Sequence, residues 1–466
     1  MSEGFHEVAP APLNSSAVGR IRHWLRTVLG LDRAIGFTVL ARSWGSAAGL
    51  VTVALIARFL SPAEQGYYYT FGSLVALQII FELGFSFVIL QLASHERAEL
   101  SISSDYEITG SATAHARLAS VIQKSVRWYS MAALLMLATL LPLGFYFFST
   151  HDHAGPSVSW RLPWCLAAFM AVLNFQIDPF LSFFEGCGYV SSVARLRLMQ
   201  SMTGSLLAWL ALISHHGLFA PSMVLLGMAF ASFLWLVGKR KLLIGLLRYQ
   251  AGPNRVRWGE EVWPFQWRIA VSWFCGYFIF WIFNPVLFAF RGPVEAGQMG
   301  MSLSLANAIQ AIAVSWVSTK SAPFGTLIAR KEYETLDQKF FQALRQSVIV
   351  AILGAVMAWV GSMYLNLEHI QFAHRLLDPF SIAMLMLTMI TNVIVFAQAY
   401  YLRAHKQEVL LANAVVGALT VTAFTLIFGR LYGARGIVVS CWLGSIPGLA
   451  WSTFLFQKYR TLWHRR

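Results

Sequence analysis

Twelve apolar runs follow one another along this chain, and they constrain its fold more than any other feature. A helix needs about 20 largely apolar residues to cross the roughly 30 Å hydrocarbon core of a bilayer. The runs lie near residues 35–58, 66–93, 128–149, 162–185, 195–214, 219–238, 268–290, 295–319, 343–366, 379–402, 409–429 and 436–456. We therefore predict an all-α integral membrane protein with about twelve transmembrane helices.

The basic residues are distributed unevenly about these runs. The formal net charge is +14, and one side of the predicted spans holds 28 of the 35 Lys and Arg residues. The other side holds six, and Arg42 lies within the first run. Because basic loops stay in the cytoplasm, both termini are predicted to be cytoplasmic. This topology accounts for the charge, so we do not expect nucleic-acid binding.

Two basic segments flank the first six spans. Residues 1–34 contain four arginines interleaved with apolar residues, as in an amphipathic helix at the membrane surface or in a solvated basic tail. Residues 239–265 are basic and contain the sequence Gly-Pro-Asn, which indicates an irregular cytoplasmic linker. The sequence thus predicts a six-span N-terminal lobe at 35–238 and a six-span C-terminal lobe at 266–466 that ends in a short basic tail.

A short motif occurs once in each lobe. Phe59-x-x-Pro62-x-Glu64-x-Gly66 follows the first span, and the same four residues recur 231 positions later as Phe290, Pro293, Glu295 and Gly297. Proline and glutamate suit the first turn of a helix, so two unrelated helix starts are the alternative to a duplication. Lobes repeated in this way are typical of secondary transporters with a central cavity. Tyr67–Tyr69 are expected in the outer aromatic belt of the membrane interface.

Several short sequences occur in the order and spacing of a known family. They are Leu60-Ser-Pro-Ala-Glu-Gln-Gly-Tyr67, Glu82-Leu-Gly-Phe-Ser86, Glu185-Gly-Cys-Gly188, Pro293-Val-Glu-Ala-Gly297 and Pro323. In these segments, and in its spans and repeat, the chain resembles the polysaccharide flippases of the multidrug/oligosaccharidyl-lipid/polysaccharide (MOP) exporter superfamily. Asn284 departs from that family, whose members often have an acidic residue there, and so does Gln91, where many have a basic one.

The resemblance implies a function, a location and partners. It implies two parallel six-helix bundles around a central cavity. It also implies a flippase that moves undecaprenyl-pyrophosphate-linked oligosaccharides across the bacterial inner membrane, as in lipopolysaccharide O-antigen synthesis. Membrane lipids and polysaccharide-assembly proteins are the further partners that it implies.

Charged residues inside the predicted spans are candidates for function, because a charge in hydrocarbon is unfavourable. Arg42 is the leading candidate to bind a pyrophosphate through its guanidinium. It would equally be explained by snorkelling to the interface or by an ion pair with Glu82 or Asp178. Glu82 and Asp178 are candidates to bind a coupling proton or sodium ion. Further candidates for substrate binding are Arg195, Arg197, Arg268, Lys320 and Arg403 near the cytoplasmic mouth, and Asn284 in the seventh span.

Other protein classes are alternatives to a flippase. A multidrug exporter of the same superfamily would expel cations through acidic, aromatic-lined pockets. A membrane glycosyltransferase or polymerase typically needs a large outer loop with acidic residues, whereas the predicted outer loops are short. His95-Glu96 does not continue into a zinc-protease motif, and no Gly-x-x-x-x-Gly-Lys-Ser/Thr loop is present. We therefore predict a transporter rather than an enzyme, with no cofactor or metal.

Overall fold

The chain is described here from a computed structural model that covers residues 33–103, 107–151, 158–250, 252, 255–405 and 409–464. These residues are almost entirely helical. The amphipathic segment predicted at residues 1–34 lies outside them except for its last two residues, where the first helix begins.

The described residues of the first half of the chain form eight helices. Their bounds are α1 Arg33–Phe59, α2 Pro62–Val75, α3 Gln78–Glu82, α4 Phe85–Arg97, α5 Ala112–Thr150, α6 Arg161–Gly186, α7 Val190–Ile213 and α8 Ala220–Val237. A 3-10 turn at Gly217–Phe219 precedes α8. Helix α2 begins as the motif predicts, because Ser61 and Glu64 form a reciprocal capping box.

The second half continues from the linker into the other group of helices. Their bounds are α9 Arg240–Arg248, α10 Trp263–Phe280, α11 Phe283–Arg291, α12 Pro293–Ser318, α13 Ser321–Ala329, α14 Tyr333–Leu367, α15 Pro379–Ala404 and α16 Leu411–His464. A π-helical turn at Trp258–Val262 precedes α10, and a 3-10 turn at Gln371–Arg375 precedes α15.

The helices coincide with the predicted spans. Among the described residues, eight helices are long and apolar enough to cross a membrane, or ten when the bent pairs α2–α4 and α10–α11 each count as one span. Helix α16 covers two predicted spans and bends between them at Gly433, whose φ of 64° suits glycine. Helix α1 adds the apolar stretch Ser43–Phe59. The predicted all-α membrane architecture, with its two bundles and central cavity, is confirmed.

The structure also contains elements that the apolar pattern did not predict. Strands β1 (Leu100–Ile102) and β2 (Ile108–Gly110) form an antiparallel hairpin with Ser101 opposite Thr109. Helix α5 begins at Ala112, well before the apolar run near 128, and α14 begins at Tyr333, ten residues before its run. These extensions are polar, so hydropathy marks only the part of each helix that lies in lipid.

The linker packs closely against α5. Gln123 Nε2 donates to the carbonyl oxygens of Leu246 at 2.9 Å and Tyr249 at 2.8 Å, and Lys124 Nζ donates to that of Val256 at 2.6 Å. Arg117 completes the contact, since its Nε lies 2.7 Å from Glu96 and its Nη2 lies 2.6 Å from Glu261. The segment predicted as an irregular linker is therefore held on the N-terminal bundle up to the start of α10.

Arg117→Ala is expected to loosen the end of the linker. The two charge-assisted hydrogen bonds are partly exposed, so their loss should destabilise the contact by about 1–2 kcal/mol and speed local amide exchange roughly 5–30-fold. Hydrogen exchange of residues 255–262 measures this effect. Arg257→Ala is the matched control, because the Arg257–Glu260 pair is 75% and 71% exposed. Equal exchange in both variants would contradict the anchoring role of Arg117.

The same contact has a defined pH dependence. The hydrogen bond from Arg117 holds the pKa of Glu261 below its ordinary value. A carboxylate whose pKa is lowered by folding stabilises the folded state when the pH is above its pKa in the unfolded state. This contribution is lost as the pH falls through its pKa in the folded state. The linker contact should therefore be complete near neutral pH and weaken only below about pH 4.

Candidate functional site

The two bundles meet most closely at helices α2 and α12, which carry the two copies of the repeated motif. A β-carbon on Gly66 would overlap the main-chain carbonyl of Pro293, and one on Gly297 would lie 2.8 Å from the amide nitrogen of Gly66. Gln65 Nε2 spans the same contact and donates to the carbonyl oxygens of Gly297 at 2.8 Å and Arg375 at 3.0 Å. The repeat thus places two glycines where two helices touch backbone to backbone.

Aromatic side chains extend this contact. The ring of Phe288, from α11, lies 4.9 Å from that of Tyr67 and 5.4 Å from that of Phe148, measured between centroids. Tyr67 is only 1% exposed. Its predicted place in an interfacial aromatic belt is therefore wrong, because α2 turns this ring towards the other bundle rather than towards lipid headgroups. Asn284 Nδ2 also crosses between the bundles and donates to Ser73 Oγ at 3.2 Å.

The motif glutamates have different roles in the two copies. Glu64 caps its own helix, whereas Glu295 Oε1 accepts a hydrogen bond from the backbone amide of Ala434, 2.5 Å away, just after the bend in α16. Both lie in the first turn of a helix, as predicted. We call this end of the molecule, which holds both motif copies, the motif end. The end that holds Arg195, Arg197 and the linker is called the basic end.

A cavity of about 760 Å³ begins beneath the motif end. It lies mainly among α1, α2, α6, α7 and α8, and the C-terminal bundle contributes Trp273 of α10 and Ser304 of α12. Tyr69 lines it near the motif end, and Arg197 lines it near the basic end. The fourth to sixth spans form a large part of its wall, whereas the seventh and eighth contribute only Trp273, Ser304, Leu305 and Ala308 among the lining residues.

Both predicted intramembrane carboxylates line this cavity. Glu82 lies at the end of α3, just before the helix breaks at Leu83 and Gly84, which have positive φ angles of 52° and 65°. Asp178 faces the cavity from α6, near enough to Glu82 for the two charges to interact. Within the described part of the chain, no basic side chain forms an ion pair with either carboxylate. A cation entering this cavity would meet these two acidic groups and, near the basic end, Arg197, which pairs with Glu185.

Hydroxyl groups form much of the remaining polar wall. Six serine and threonine side chains line the cavity, namely Thr52, Ser86, Ser182, Ser201, Ser205 and Ser304. Ser86 Oγ lies 2.9 Å from the hydroxyl of Tyr129, and Ser205 Oγ accepts a hydrogen bond from Trp44 Nε1 at 3.1 Å. These six residues were not predicted as site residues from the sequence. A stripe of small residues on α1, with Gly45, Gly49 and Thr52 on one face, was the available signal.

The structure brings only part of the predicted basic group together. Arg197 lines the cavity and pairs with Glu185 at 2.8 Å, with 55% of its side chain exposed. Arg195 is exposed on the same helix, and Lys320 lies half-buried in the turn between α12 and α13. Arg42 and Arg268 lie in α1 and α10, but their side chains are outside the described residues.

A second, smaller cavity lies in the C-terminal bundle. Its volume is about 310 Å³, and helices α10, α11, α12, α15 and α16 enclose it. Arg403 lines it near the basic end. Asn284, which was grouped with Arg403 as a candidate for substrate binding, is only 7% exposed and lies instead at the contact between the bundles.

No protein-family model matches this sequence, and no curated protein does. The fold is nevertheless similar to solved structures. The MATE multidrug transporter DinF-BH gives a TM-score of 0.62 at 12% identity, over 92% of this chain and 96% of that one. An inward-facing multidrug resistance MATE family transporter of the MOP superfamily gives 0.61 at 12% identity, over 92% and 99%.

A lipid flippase has a similar fold as well. The lipid II flippase MurJ, in an inward closed conformation, gives a TM-score of 0.54 at 14% identity, over 90% of this chain and 86% of that one. All three likenesses extend over both bundles. At these identities they show that the chain has the same two-bundle fold.

Proposed function

We propose that this chain is a secondary transporter that flips a lipid-linked oligosaccharide across the bacterial inner membrane. One observation supports this function best: a cavity with six serine and threonine hydroxyls, mainly in the N-terminal bundle and bordered by the C-terminal one, extends as far as Arg197 at the basic end. Hydroxyl groups both donate and accept hydrogen bonds, which suits them to sugar hydroxyls. The fold shared with a lipid II flippase is consistent with such a substrate.

The charges suggest how each part of the substrate would be held. Arg197, Arg195 and Arg42 would attract the pyrophosphate at the basic end. The glycan would enter the hydroxyl-lined cavity, and the lipid tail would stay in the bilayer. Glu82 and Asp178 would bind a coupling proton or sodium ion, so that cation binding and release drive the cycle.

The packing at the motif end supports alternating access in this proposal. Backbone contact at Gly66 and the rings around Phe288 close this end, while the cavity lies between it and the basic end. Rocking the two bundles about their interface would open the motif end and close the basic end. With the basic end in the cytoplasm, the described arrangement would be the one that accepts substrate from the inner leaflet.

The export of organic cations is the second candidate function. The two carboxylates without a basic partner among the described residues favour it, together with the aromatic side chains of Tyr68, Tyr69 and Trp273 in the same cavity. The similar fold of MATE multidrug transporters is consistent with this function. A cation exporter should raise the resistance of its host to such compounds, which a dedicated glycan flippase should not.

The role of Arg42 gives a test in the native host. Deleting the gene should trap lipid-linked oligosaccharide in the cytoplasmic leaflet and reduce surface glycan, and the wild-type gene should restore both. At equal protein level, Arg42→Lys should restore part of the surface glycan. Arg42→Ala should restore roughly 10-fold less surface glycan than the wild-type gene, because a desolvated pyrophosphate would lose its cationic partner. Arg58→Ala, at the other end of the same helix, is the control. Full restoration of surface glycan by Arg42→Ala would show that Arg42 does not bind the pyrophosphate.

A further inference from the structure

The polar side chains of the C-terminal cavity fall into two groups. One group bonds across the bundle: Asn413 Nδ2 donates to the carbonyl oxygen of Gly448, beyond the bend in α16, at 3.2 Å. Such bonds are the usual role of carboxamides in membrane helices. Asn307, Gln310 and Asn392 behave differently, because their side chains make no hydrogen bond within the described residues.

These three carboxamides line one cavity at mid-span. Asn307 and Gln310 are one turn apart on α12, and Asn392 faces them from α15. A carboxamide without a partner is unfavourable in hydrocarbon, so these three side chains are available to bond to water or to a polar ligand in the cavity. Each carboxamide offers two N–H donors and a carbonyl acceptor, the combination that pairs with the hydroxyls of a sugar.

The two cavities differ in charge. The larger cavity has both Glu82 and Asp178 in its wall, whereas the described residues that line the smaller one include no Asp or Glu. Its volume of about 310 Å³ is at the lower end of the range for small-ligand pockets. Arg403 lies at its basic end.

We infer that the C-terminal cavity is a binding site for a neutral, hydroxyl-rich sugar, held by Asn307, Gln310 and Asn392. This inference rests on the proposed flippase function and deepens it. The glycan would then be held in both bundles, at the hydroxyls of the larger cavity and, for one neutral sugar, at the carboxamides of the smaller one, while the coupling cation binds at the carboxylates of the first bundle. Movement of the bundles relative to each other would then depend on both.

The test compares two lipids that differ only in the sugar. Binding of undecaprenyl pyrophosphate, and of the same lipid carrying a neutral disaccharide, is measured for the full chain in nanodiscs. We expect the disaccharide to raise the affinity of the wild type about 10-fold, as a few net hydrogen bonds would do. Asn307→Leu with Asn392→Leu should reduce this gain to less than about 2-fold and leave binding of the sugar-free lipid unchanged.

Control variants separate a binding role from a structural one. Asn366→Leu removes an exposed carboxamide of α14 and should keep the full gain. Asn307→Ala with Asn392→Ala repeats the test with smaller side chains, and unchanged affinity for the sugar-free lipid shows that each variant is folded. The inference is overturned if the disaccharide does not raise the affinity of the wild type, or if it still raises the affinity of both double variants. Either result leaves the proposed flippase function untouched. Binding of neither lipid by the wild type contradicts the proposed function itself.

Discussion

Gly66→Ala is expected to abolish transport. Its new methyl group would overlap the carbonyl of Pro293, so α2 and α12 could no longer touch backbone to backbone. Overpacking of this kind destabilises an arrangement by up to about 3 kcal/mol, which shifts a two-state equilibrium roughly 100-fold towards the state with the motif end open. A transporter held in that state would not return to collect substrate from the basic end.

Labelling at the motif end measures the shift. Ser73→Cys, in a background without the four native cysteines, reports on a site that is 1% exposed beside Asn284. A membrane-impermeant maleimide should react slowly with this cysteine in the wild-type background and much faster with Gly66→Ala. Gly72→Ala is the matched control, because a β-carbon at Gly72 meets no atom within 4 Å. Slow labelling and normal transport in Gly66→Ala would show that closure does not need this contact.

Asp178→Asn is expected to uncouple transport from its driving ion. The amide keeps the shape of the side chain but removes one of the two charges that line the cavity beside each other. A bound cation would lose half of its acidic partners, and a coupling energy of 1–3 kcal/mol corresponds to a loss of about 5–150-fold. Glu82→Gln should have a similar effect, because both carboxylates face the same space.

The readout is the dependence of transport on pH and sodium, as well as its rate. Both amide variants should lose the dependence that the wild type shows. Glu107→Gln provides the control, since Glu107 is exposed in the turn of the β-hairpin and far in sequence from the cavity. Unchanged pH and sodium dependence in both Asp178→Asn and Glu82→Gln would exclude the two carboxylates from coupling.

The fold was largely predictable from the sequence, because each span in lipid must be a helix of about 20 largely apolar residues. The interruptions within spans were harder to predict. Helix α3 ends at Glu82, just before Leu83, and a leucine with positive φ has no signature in hydropathy. The β-hairpin and the polar start of α5 lie outside the apolar runs for the same reason.

The candidate site was predictable only where it carries charge. Glu82 and Asp178 were selected because acidic residues are rare in spans, and the structure places both in one cavity. The serines of the wall were not selected, since a serine in a membrane helix commonly bonds to its own helix, as Ser304 does to the carbonyl of Gly300 at 2.9 Å. The repeat predicted equivalent positions for Gly66 and Gly297, but not that these two glycines would meet.

Reconstitution tests the central claim most directly. The purified chain would be placed in liposomes that contain a fluorescent lipid-pyrophosphate oligosaccharide, and an external glycosidase would report the leaflet in which each molecule lies. We predict that a proton or sodium gradient drives the oligosaccharide between leaflets only when the protein is present, and that Asp178→Asn loses this dependence. Movement equal to that in protein-free liposomes, with gradient-driven transport of organic cations by the same preparation, would contradict the flippase account and favour cation export.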